Sequence, residues 1–291
     1  MRGMPLKRRS DGVYLRKLPG FRKMFPFLMR TRTESAIYYS QRVRLGATLA
    51  WLEKANAGRE KKISIFTVVL AAGVRTLALR PDANRFVAGR RIYQRRTIDL
   101  SFIVKRELTE KAGETNLKIT FDPKSTIEDV AGRVSAAVES TKTKETSADE
   151  KTTDFVTSLP RSLTRLALGG VRALDYFNLL PASFIRGDAL YTSAYLANLG
   201  SIGLEAVFHH LFEWGNAPFF IVVGKKKREP VVNAAGEIEV QDVLDMNVSL
   251  DERITDGVSY AATIALLTSL IENPDRLEAP PENLPDPFEF A

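Results

Sequence analysis

Cysteine is absent from the 291-residue chain, and histidine occurs only twice. Without cysteine the protein has neither a disulfide framework nor a thiol nucleophile, which favours the cytoplasm as its compartment. The longest apolar runs, residues 63–74 and 260–271, fall short of the ~20 residues that a membrane-spanning helix needs. The N-terminus also lacks the apolar stretch and cleavage site of a secretory signal. These absences predict a globular cytoplasmic protein.

Positive charge is concentrated in an N-terminal segment. Residues 1–32 hold ten Lys and Arg against one acidic residue, Asp11, whereas the rest of the chain is close to neutral. A nucleic-acid-binding surface is usually spread over a folded face, so this distribution disfavours nucleic acid as a partner. Aromatic residues and two prolines, Pro19 and Pro26, interrupt the basic ones. We interpret the segment as an extended arm that packs on the body or a neighbouring subunit, or that binds a protein partner or, peripherally, an anionic membrane surface.

Hydrophobic periodicity and turn signals predict alternating strands and helices after the arm. The predicted strands lie at residues 37–43, 91–93, 98–105, 116–121, 190–196, 219–223, 231–232, 237–240 and 243–250. The predicted helices lie at residues 45–57, 63–79, 125–140, 159–177 and 257–272. The third opens with a capping box at residues 125–128, and Gly169-Gly170 is expected to bend or split the fourth.

The same pattern divides the chain into three parts. They are the arm at residues 1–32, a single domain at 33–278 with a helical excursion at about 154–185, and a proline-rich tail at 279–291. Residues 141–153 are the best linker candidate. The prolines of the tail disfavour a helix, and Phe288 and Phe290 are expected to be exposed and to anchor the tail in another subunit.

Several segments resemble parts of one family in the same order and spacing. Residues 82–86 follow a predicted helix and resemble the family's hPxhN segment, which also follows a helix. Residues 198–203 are similar to its SNLGxxG loop, and residues 251–257, with 272–277, resemble its DHRxxDG and ExPxxL regions. Together they span roughly residues 33–277. The chain thus resembles the catalytic domain of the dihydrolipoyl acyltransferases of 2-oxoacid dehydrogenase complexes and their chloramphenicol acetyltransferase relatives.

The resemblance implies an α/β fold, a two-layer sandwich of the chloramphenicol acetyltransferase type, that assembles as a homotrimer. The active site of such enzymes lies in a channel between subunits, which coenzyme A and the acyl-accepting lipoamide approach from opposite ends. A larger assembly of trimers is compatible with this fold. No lipoyl or subunit-binding domain is recognisable ahead of the arm, so the sequence predicts a catalytic-domain homologue standing alone.

The resemblance places Glu252 where the family has a histidine that deprotonates the attacking thiol or hydroxyl. A histidine has an ordinary pKa near 6.5, whereas a glutamate, near 4.3, serves as the base only when burial or another carboxylate raises its value. Asp251 and Asp256 are carboxylate neighbours in sequence, and Arg253 would oppose them by pairing. Glu252 is therefore either a working base or a structural ion-pair or capping residue. Asp256 matches the family's Asp or Asn, where a role in the turn before the last helix is favoured.

A second departure lies in the oxyanion loop, which contains Ala197, Asn198 and Ser201. The family has a serine or threonine immediately before NLG, and its hydroxyl helps to stabilise the tetrahedral oxyanion. Ala197 occupies that position here. Loss of one such donor costs ~10²-fold or more in rate. Ser201 or Thr192 would replace it only if the backbone presented its hydroxyl differently.

The two histidines, His209 and His210, follow the glycine loop directly. Adjacent residues point to different sides of a strand or helix, so at most one would enter a given site. They are predicted to be packing or trimer-contact residues beside Phe208 and Phe212; the alternative is that one of them is a replacement base. A metal site is not expected, because no softer ligands stand at chelating spacing.

A basic run, Lys225, Lys226 and Lys227, follows the predicted strand 219–223. It would either attract a phosphate of coenzyme A or form a solvated turn. Taken together, the sequence predicts a trimeric acyltransferase-fold protein, a pseudoenzyme without the standard histidine-dependent mechanism, that acts in assembly or ligand binding. The alternative is an active coenzyme-A-dependent acyltransferase whose base is Glu252, His209 or His210.

Overall fold

The computed structural model describes residues 9–105, 114–143, 158–233 and 235–291. The strands are β1 Gly12–Tyr14, β2 Ala36–Arg44, β3 Arg85–Ala88, β4 Arg91–Arg95, β5 Ile98–Lys105, β6 Glu114–Phe121, β7 Ala194–Asn198, β8 Phe219–Val232 and β9 Ile238–Asp251. The α-helices are α1 Gly20–Leu28, α2 Gly46–Ala55, α3 Ile65–Leu79, α4 Ile127–Thr143, α5 Arg161–Tyr176, α6 Ala182–Gly187 and α7 Gly257–Glu272. Short 3-10 helices occupy Pro81–Asn84, Leu199–Ile202 and Pro274–Leu277. Among the described helices, none is long and apolar enough to cross a membrane.

Six strands form a mixed sheet in the order β2-β9-β8-β7-β5-β6. β7 runs parallel to both β5 and β8, and the other neighbouring pairs are antiparallel. β1, β4 and β3 form a separate antiparallel sheet. Helices α2, α3, α4 and α7 pack on one face of the large sheet, and the segment 204–216 crosses the other face. The predicted α/β two-layer fold is confirmed.

The main core lies between the large sheet and its helices. Because side chains alternate along a strand, Met246 and Val248 of β9 point into this core. Asn247 lies between these two residues and Ser249 follows them, so both point to the opposite face. There they donate hydrogen bonds to backbone oxygens of the segment 204–216. The strand β9 therefore joins the helical layer to the loop layer that lies over the candidate site.

The helices α3 and α4 begin where the sequence supplies a capping side chain. Ser64 Oγ accepts a hydrogen bond from the backbone N–H of Thr67 at 3.1 Å and so starts α3. The capping box of α4 is displaced by one residue from its predicted position. Thr126 and Asp129 form it, with the Thr126 N–H donating to the Asp129 carboxylate at 2.8 Å.

The prediction of an extended N-terminal arm is wrong for residues 20–28, which form the helix α1. Pro26 is tolerated because it stands in the last turn, where only one intrahelical hydrogen bond is lost. Before this helix, β1 pairs with β4, and Leu15 and Leu18 are buried in the main core. The described part of the arm therefore packs on the body of its own chain. The predicted linker falls largely on residues 144–153, which lie outside the described residues.

Two pairs of predicted strands are merged. The strands predicted at 219–223 and 231–232 are one strand, β8, and those at 237–240 and 243–250 are one strand, β9. The intervening residues are charged rather than alternately apolar, but they pair across the hairpin, as Lys226 does with Asp242 at 3.4 Å. Cross-strand ion pairs thus replace the apolar pattern that sequence analysis looks for.

The helix of the excursion is also more regular than predicted. α5 continues unbroken through Gly169-Gly170, because two glycines cost only about 1 kcal/mol each in a helix. It ends where Asn178 adopts a left-handed conformation (φ 58°) and the N–H of Leu179 donates to the oxygen of Leu174 at 2.7 Å.

The C-terminal tail folds back on its own chain. The ring of Phe290 packs against the main core, and the guanidinium of Arg85 lies 5.6 Å from its centre. The backbone oxygen of Phe290 accepts from the N–H of Lys17 at 3.0 Å. The expectation that Phe290 is exposed and anchors in another subunit is therefore wrong, since a cation–π contact and core packing hold it within the same chain.

We expect Gly89→Ala to destabilise the protein more than Gly58→Ala. Both glycines have a positive φ (+53° and +73°), but a Cβ at Gly89 would lie 2.3 Å from the backbone oxygen of Tyr176, whereas the space around Gly58 is open. The free energy of unfolding should fall by about 2–4 kcal/mol for Gly89→Ala and by about 1 kcal/mol for Gly58→Ala. Urea unfolding measures both values; equal losses would show that the β3–β4 turn does not approach α5 this closely.

Candidate functional site

The signature segment connects the end of β9 to the start of α7. Asp251 forms a bidentate ion pair with Arg253, at 2.8 Å from Oδ1 to Nε and 2.7 Å from Oδ2 to Nη2, and both side chains are buried. The hydroxyl of Ser35 donates to Asp251 Oδ1 at 3.0 Å, and Arg253 Nη1 donates to the backbone oxygen of Met29 at 3.2 Å. This charge-assisted network ties the turn to the segment before β2.

Glu252 lies between these two partners and takes no part in their ion pair. Its backbone N–H donates to the oxygen of Ser35 at 3.0 Å, and its side chain is half-buried. Within residues 9–105, 114–143, 158–233 and 235–291, no Lys, Arg or His nitrogen lies within 4.0 Å of its carboxylate. The alternative in which Glu252 pairs with Arg253 is not found, because Asp251 holds that guanidinium.

Asp256 is the N-cap residue of α7. Its Oδ1 accepts a hydrogen bond from the N–H of Ser259 at 2.9 Å, which satisfies one of the free donors of the first turn. Arg22 of the arm donates to the backbone oxygen of Thr255 at 2.9 Å and lies 3.8 Å from the Asp256 carboxylate. Asp256 therefore stabilises the turn before the last helix. Neither it nor Asp251 is an unpaired negative charge beside Glu252.

Tyr260 joins α7 to the end of β9, since its hydroxyl donates to the backbone oxygen of Asp251. Burial is the main reason that the pKa of Tyr260 is raised, and the carboxylates of Asp251 and Glu252 act in the same direction. The hydroxyl consequently remains a hydrogen-bond donor at neutral pH. The charge of Glu252 thus lies close enough to act on a buried tyrosine.

The glycine loop begins at the end of β7 and continues as a 3-10 turn. Ala197 has no hydroxyl to offer. The hydroxyl of Ser201 donates to the backbone oxygen of Asn198 at 2.7 Å, and Asn198 Oδ1 accepts from the Ser201 N–H at 3.3 Å. Thr192 is buried, and its hydroxyl donates to the backbone oxygen of Asp99 at 2.7 Å. Both hydroxyls considered as replacements are therefore used inside the fold.

Glu252 and the glycine loop lie at different levels of the sheet. Ala197 pairs with Val222 of β8, whereas Leu250 pairs with Phe219. Glu252 lies two residues beyond Leu250, on the side away from Val222, and is therefore about five residues from the level of Ala197. At about 3.3 Å per residue, Glu252 and Ala197 are separated by roughly 16 Å along the strand direction. Within one chain, Glu252 and Ala197 are therefore far apart.

The two histidines lie in the segment that covers the sheet opposite the helices. The ring of His209 stacks on Phe220, with ring centres 3.8 Å apart, and on His210 at 4.5 Å. The hydroxyl of Ser249 donates to the backbone oxygen of His209. Both rings also contact Phe212, at 5.4 and 5.0 Å. In the described part of the chain, no cluster of three or more His, Asp or Glu side chains could hold a metal ion.

The three lysines, for which a phosphate site and a solvated turn were the alternatives, lie on β8, so the prediction of a turn is wrong. Each of Lys225, Lys226 and Lys227 lies within 3.4 Å of a carboxylate of the same chain. Their partners are Glu205, Glu229, Asp242 and Asp245. Hydrogen bonds with Asp245 and Glu229 raise the pKa of Lys227. This set does not fit the phosphates of coenzyme A well, because its charge is already balanced.

Sequence analysis missed three residues that build the site. Arg22 and Ser35 lie more than 200 residues from the signature that they contact. The excess of arginine in the arm is a signal that points to Arg22, but charge alone predicts an exposed side chain rather than a contact with the signature. Nothing in the sequence marks Ser35. Tyr260 is nine residues from its partner Asp251, at a spacing that only the turn between strand and helix explains.

The comparisons with known proteins agree with this architecture. The family model of the 2-oxoacid dehydrogenases acyltransferase (catalytic domain) matches residues 191–279, which include the glycine loop and the signature. No curated protein sequence matches the chain. The resemblance predicted from the sequence is confirmed, and the chain has the fold of the acyltransferase catalytic domains.

Solved structures extend the likeness to nearly the whole chain. A dihydrolipoamide acetyltransferase of Azotobacter vinelandii is 16% identical, with a TM-score of 0.60, over 93% of this chain and 94% of that one. The cubic core of a pyruvate dehydrogenase multienzyme complex is 14% identical, with the same TM-score and coverage. A chloramphenicol acetyltransferase is 12% identical, with a TM-score of 0.50, over 91% and 99% of the two chains. At such identities the likeness concerns the fold.

We expect Arg253→Met to destabilise the protein strongly and Glu252→Gln to leave its stability nearly unchanged. Removing the guanidinium leaves the buried Asp251 carboxylate without its partner, which costs about 3–5 kcal/mol. Glu252 has no described cation to lose, so Glu252→Gln should stay within about 0.5 kcal/mol. Thermal and urea unfolding of the two variants measure the difference. A large loss for Glu252→Gln would mean that its carboxylate has a structural partner.

Proposed function

We propose that this protein is an acyltransferase-fold assembly or binding protein that has lost the histidine-dependent route of the dihydrolipoyl acyltransferases. The observation that carries the proposal is the composition of the signature turn. Its buried charge is the Asp251–Arg253 pair, Asp256 caps α7, and Glu252 stands between them. This turn contains no imidazole that could remove a proton.

The comparison with the Azotobacter enzyme supports the assignment of positions. That structure belongs to an investigation of one serine, one histidine and one asparagine in the catalytic mechanism, the last two being four positions apart. Glu252 and Asp256 have the same spacing. Ala197 stands where the family has its hydroxyl, and Ser201 and Thr192 donate to backbone oxygens. Missing one oxyanion donor costs ~10²–10³-fold in rate, and a missing general base ~10²–10⁴-fold.

A second candidate function is an active coenzyme-A-dependent acyltransferase with Glu252 as its base. One observation favours it: among the described residues, no cation lies within 4.0 Å of the Glu252 carboxylate, so the group is not consumed by an ion pair. His209 and His210 are less suited, because their rings stack on each other, and His209 also lies against Phe220. The two functions are distinguished by whether the chain shows acyl transfer that Glu252→Gln abolishes.

We further propose that the working unit is a homotrimer, which can build a larger assembly as in the cubic core to which this chain is similar. The separation of Glu252 and Ala197 in one chain supports this, since a cleft that uses both needs two copies. The edge strand β2 is suited to the interface because Ile37, Tyr38 and Tyr39 are 37–49% exposed. Ile37 and Tyr39 lie on one face of this edge strand and Tyr38 on the other, and exposed apolar side chains on an edge are usually covered.

The helix α1 offers a second contact surface for a neighbouring subunit or an anionic membrane. Phe21 is 73% exposed, and Met24, Phe27 and Leu28 are more than half exposed. Arg22, however, is turned toward the signature. We favour a neighbouring subunit, because the arginine within this helix, Arg22, donates to a protein group rather than facing outward.

Acyl transfer tests the proposed loss of catalysis. The chain is expected to give no turnover of acetyl-coenzyme A with dihydrolipoamide, small amines or alcohols above the level of Glu252→Gln, because neither variant has an imidazole base. An exposed carboxylate outside the site, changed in Glu282→Gln, is the matched control. Turnover by the native chain that Glu252→Gln abolishes and Glu282→Gln leaves intact would overturn the proposal in favour of the second candidate.

The mass of the assembly tests the trimer. Light scattering after size exclusion should give three times 32.4 kDa, or a multiple of that mass. A double change on β2, Ile37→Asp with Tyr39→Asp, should lower the mass to that of one chain, whereas Phe21→Ser with Phe27→Ser reports on α1. A native chain that runs as a monomer would contradict the trimer. Loss of binding to anionic vesicles in the α1 variant, with unchanged mass, would place α1 at a membrane.

A further inference from the structure

An arginine-lined cavity lies between the end of α1, the β3–β4 turn, α5 and the segment 213–215. Its volume is about 450 Å³, within the range of small-molecule sites. The positively charged side chains that line it are Arg30, Arg32, Arg90, Arg172 and Arg253, and the negatively charged ones are Asp175 and Glu213. Arg253 is the only one of them that belongs to the signature segment.

Both carboxylates of the cavity and one of its guanidinium groups are already engaged. Arg253 is paired with Asp251 outside the cavity. Asp175 is paired with Arg9 at 2.8 Å. Burial opposes the ionised form of Glu213, but hydrogen bonds from Thr33 and from the backbone of Arg32 outweigh it and lower the pKa of that carboxyl. Arg9 is shared between Asp175 and Asp11, so it neutralises Asp175 only in part. Four guanidinium groups therefore face the cavity against the two carboxylates of Glu213 and Asp175.

Arg32 is the most constrained of the four, because it is buried (8% exposed) and has no carboxylate partner within 4.0 Å among the described residues. Its guanidinium donates to the backbone oxygens of Phe212 and Glu213 at 3.2 Å each and to that of Val87 at 3.4 Å. Burial is the main reason that the pKa of Arg32 is lowered, and Arg253 adds to this, while the carboxylates of Asp251, Glu213 and Asp175 partly offset it from beyond ion-pair distance. A buried cation whose described hydrogen bonds go to neutral carbonyls is costly unless an anion compensates it.

Arg30, Arg90 and Arg172 approach the cavity from three different elements. In the described ranges, no carboxylate lies within 4.0 Å of any of their guanidinium groups. Arg90 is held at the β3–β4 turn in a left-handed conformation (φ 57°), 5.6 Å from the ring of Phe27. Arg172 projects from α5, which the close approach of Gly89 to Tyr176 fixes against the same turn. The like charges are thus gathered by the fold, although they repel one another.

We propose that this cavity is a binding site for a diphosphate group, carried by a nucleotide or by coenzyme A. Guanidinium groups present paired N–H donors that match phosphate oxygens, and several of them around one cavity suit an anion with more than one charged centre. Trp214 and Tyr176 line the same cavity, and aromatic rings suit contact with the organic part of such a ligand. The site does not depend on Glu252 or the glycine loop, and it stands whether or not the protein transfers acyl groups.

Calorimetric titration of the full chain with inorganic pyrophosphate tests the site. The variants are Arg172→Ala and Arg90→Asn, the latter because asparagine tolerates a left-handed backbone. The matched control is Arg165→Ala, which removes an exposed arginine from the same helix outside the cavity. We expect pyrophosphate to bind the native chain, each cavity variant to weaken binding about tenfold or more, and the control to change it less than about twofold.

Two further titrations distinguish the source of the diphosphate. Adenosine diphosphate and coenzyme A are titrated in separate experiments, each with and without pyrophosphate. Competition by only one of them identifies the ligand class, and competition by both shows that the diphosphate is what the site recognises. The proposal is overturned if pyrophosphate does not bind at millimolar concentration, or if Arg165→Ala weakens binding as much as Arg172→Ala does, since the attraction would then be that of a general basic surface.

Discussion

The buried ion pair between Asp251 and Arg253 is the interaction on which the candidate site depends. It closes the turn between β9 and α7, and through Ser35 and Met29 it joins that turn to the chain before β2. A pair of this kind contributes little net stability when complete, because desolvation offsets attraction, but it fixes geometry strongly since either charge left alone is costly. The backbone position of Glu252 is therefore set by its two neighbours, whatever its own side chain does.

This arrangement holds the signature turn without using the side chain of Glu252. The groups that hold the turn are Asp251, Arg253 and Asp256, and each has its partner elsewhere in the chain. The side chain at position 252 is therefore not among the described groups that hold this turn. The carboxylates of Asp251 and Asp256 and the hydroxyl of Ser201 are engaged in contacts of their own chain. The proposed loss of catalysis would leave these contacts of the turn unchanged.

The parts of the structure that could be predicted are those whose signals are local. Strand β5 and helix α7 were predicted at their observed bounds because apolar periodicity and a capping aspartate mark them. The hairpin β8–β9 was divided because its stability comes from ion pairs such as Lys227 with Asp245, at 2.7 Å, which a single strand's pattern does not show. Helix α1 was missed because Pro26 interrupts its sequence. Ser35 was missed because its role exists only across 216 positions of chain.

The arm illustrates why a basic segment is a weak indicator of an anionic macromolecule. Arg9 pairs with Asp11 and Asp175 at 2.7 and 2.8 Å, and Arg22 donates to the signature turn. Arg32 is buried against backbone oxygens. These three arginines of the arm are thus directed inward, where they tie α1, α5 and the signature together, whereas Arg16 and Arg30 are exposed. In the sequence, the net charge of the arm suggests a surface that recruits a partner. In the folded chain, part of that charge lies inside the protein. Its natural counterpart is a small anion that can enter the fold, not an extended polyanion that lies upon it.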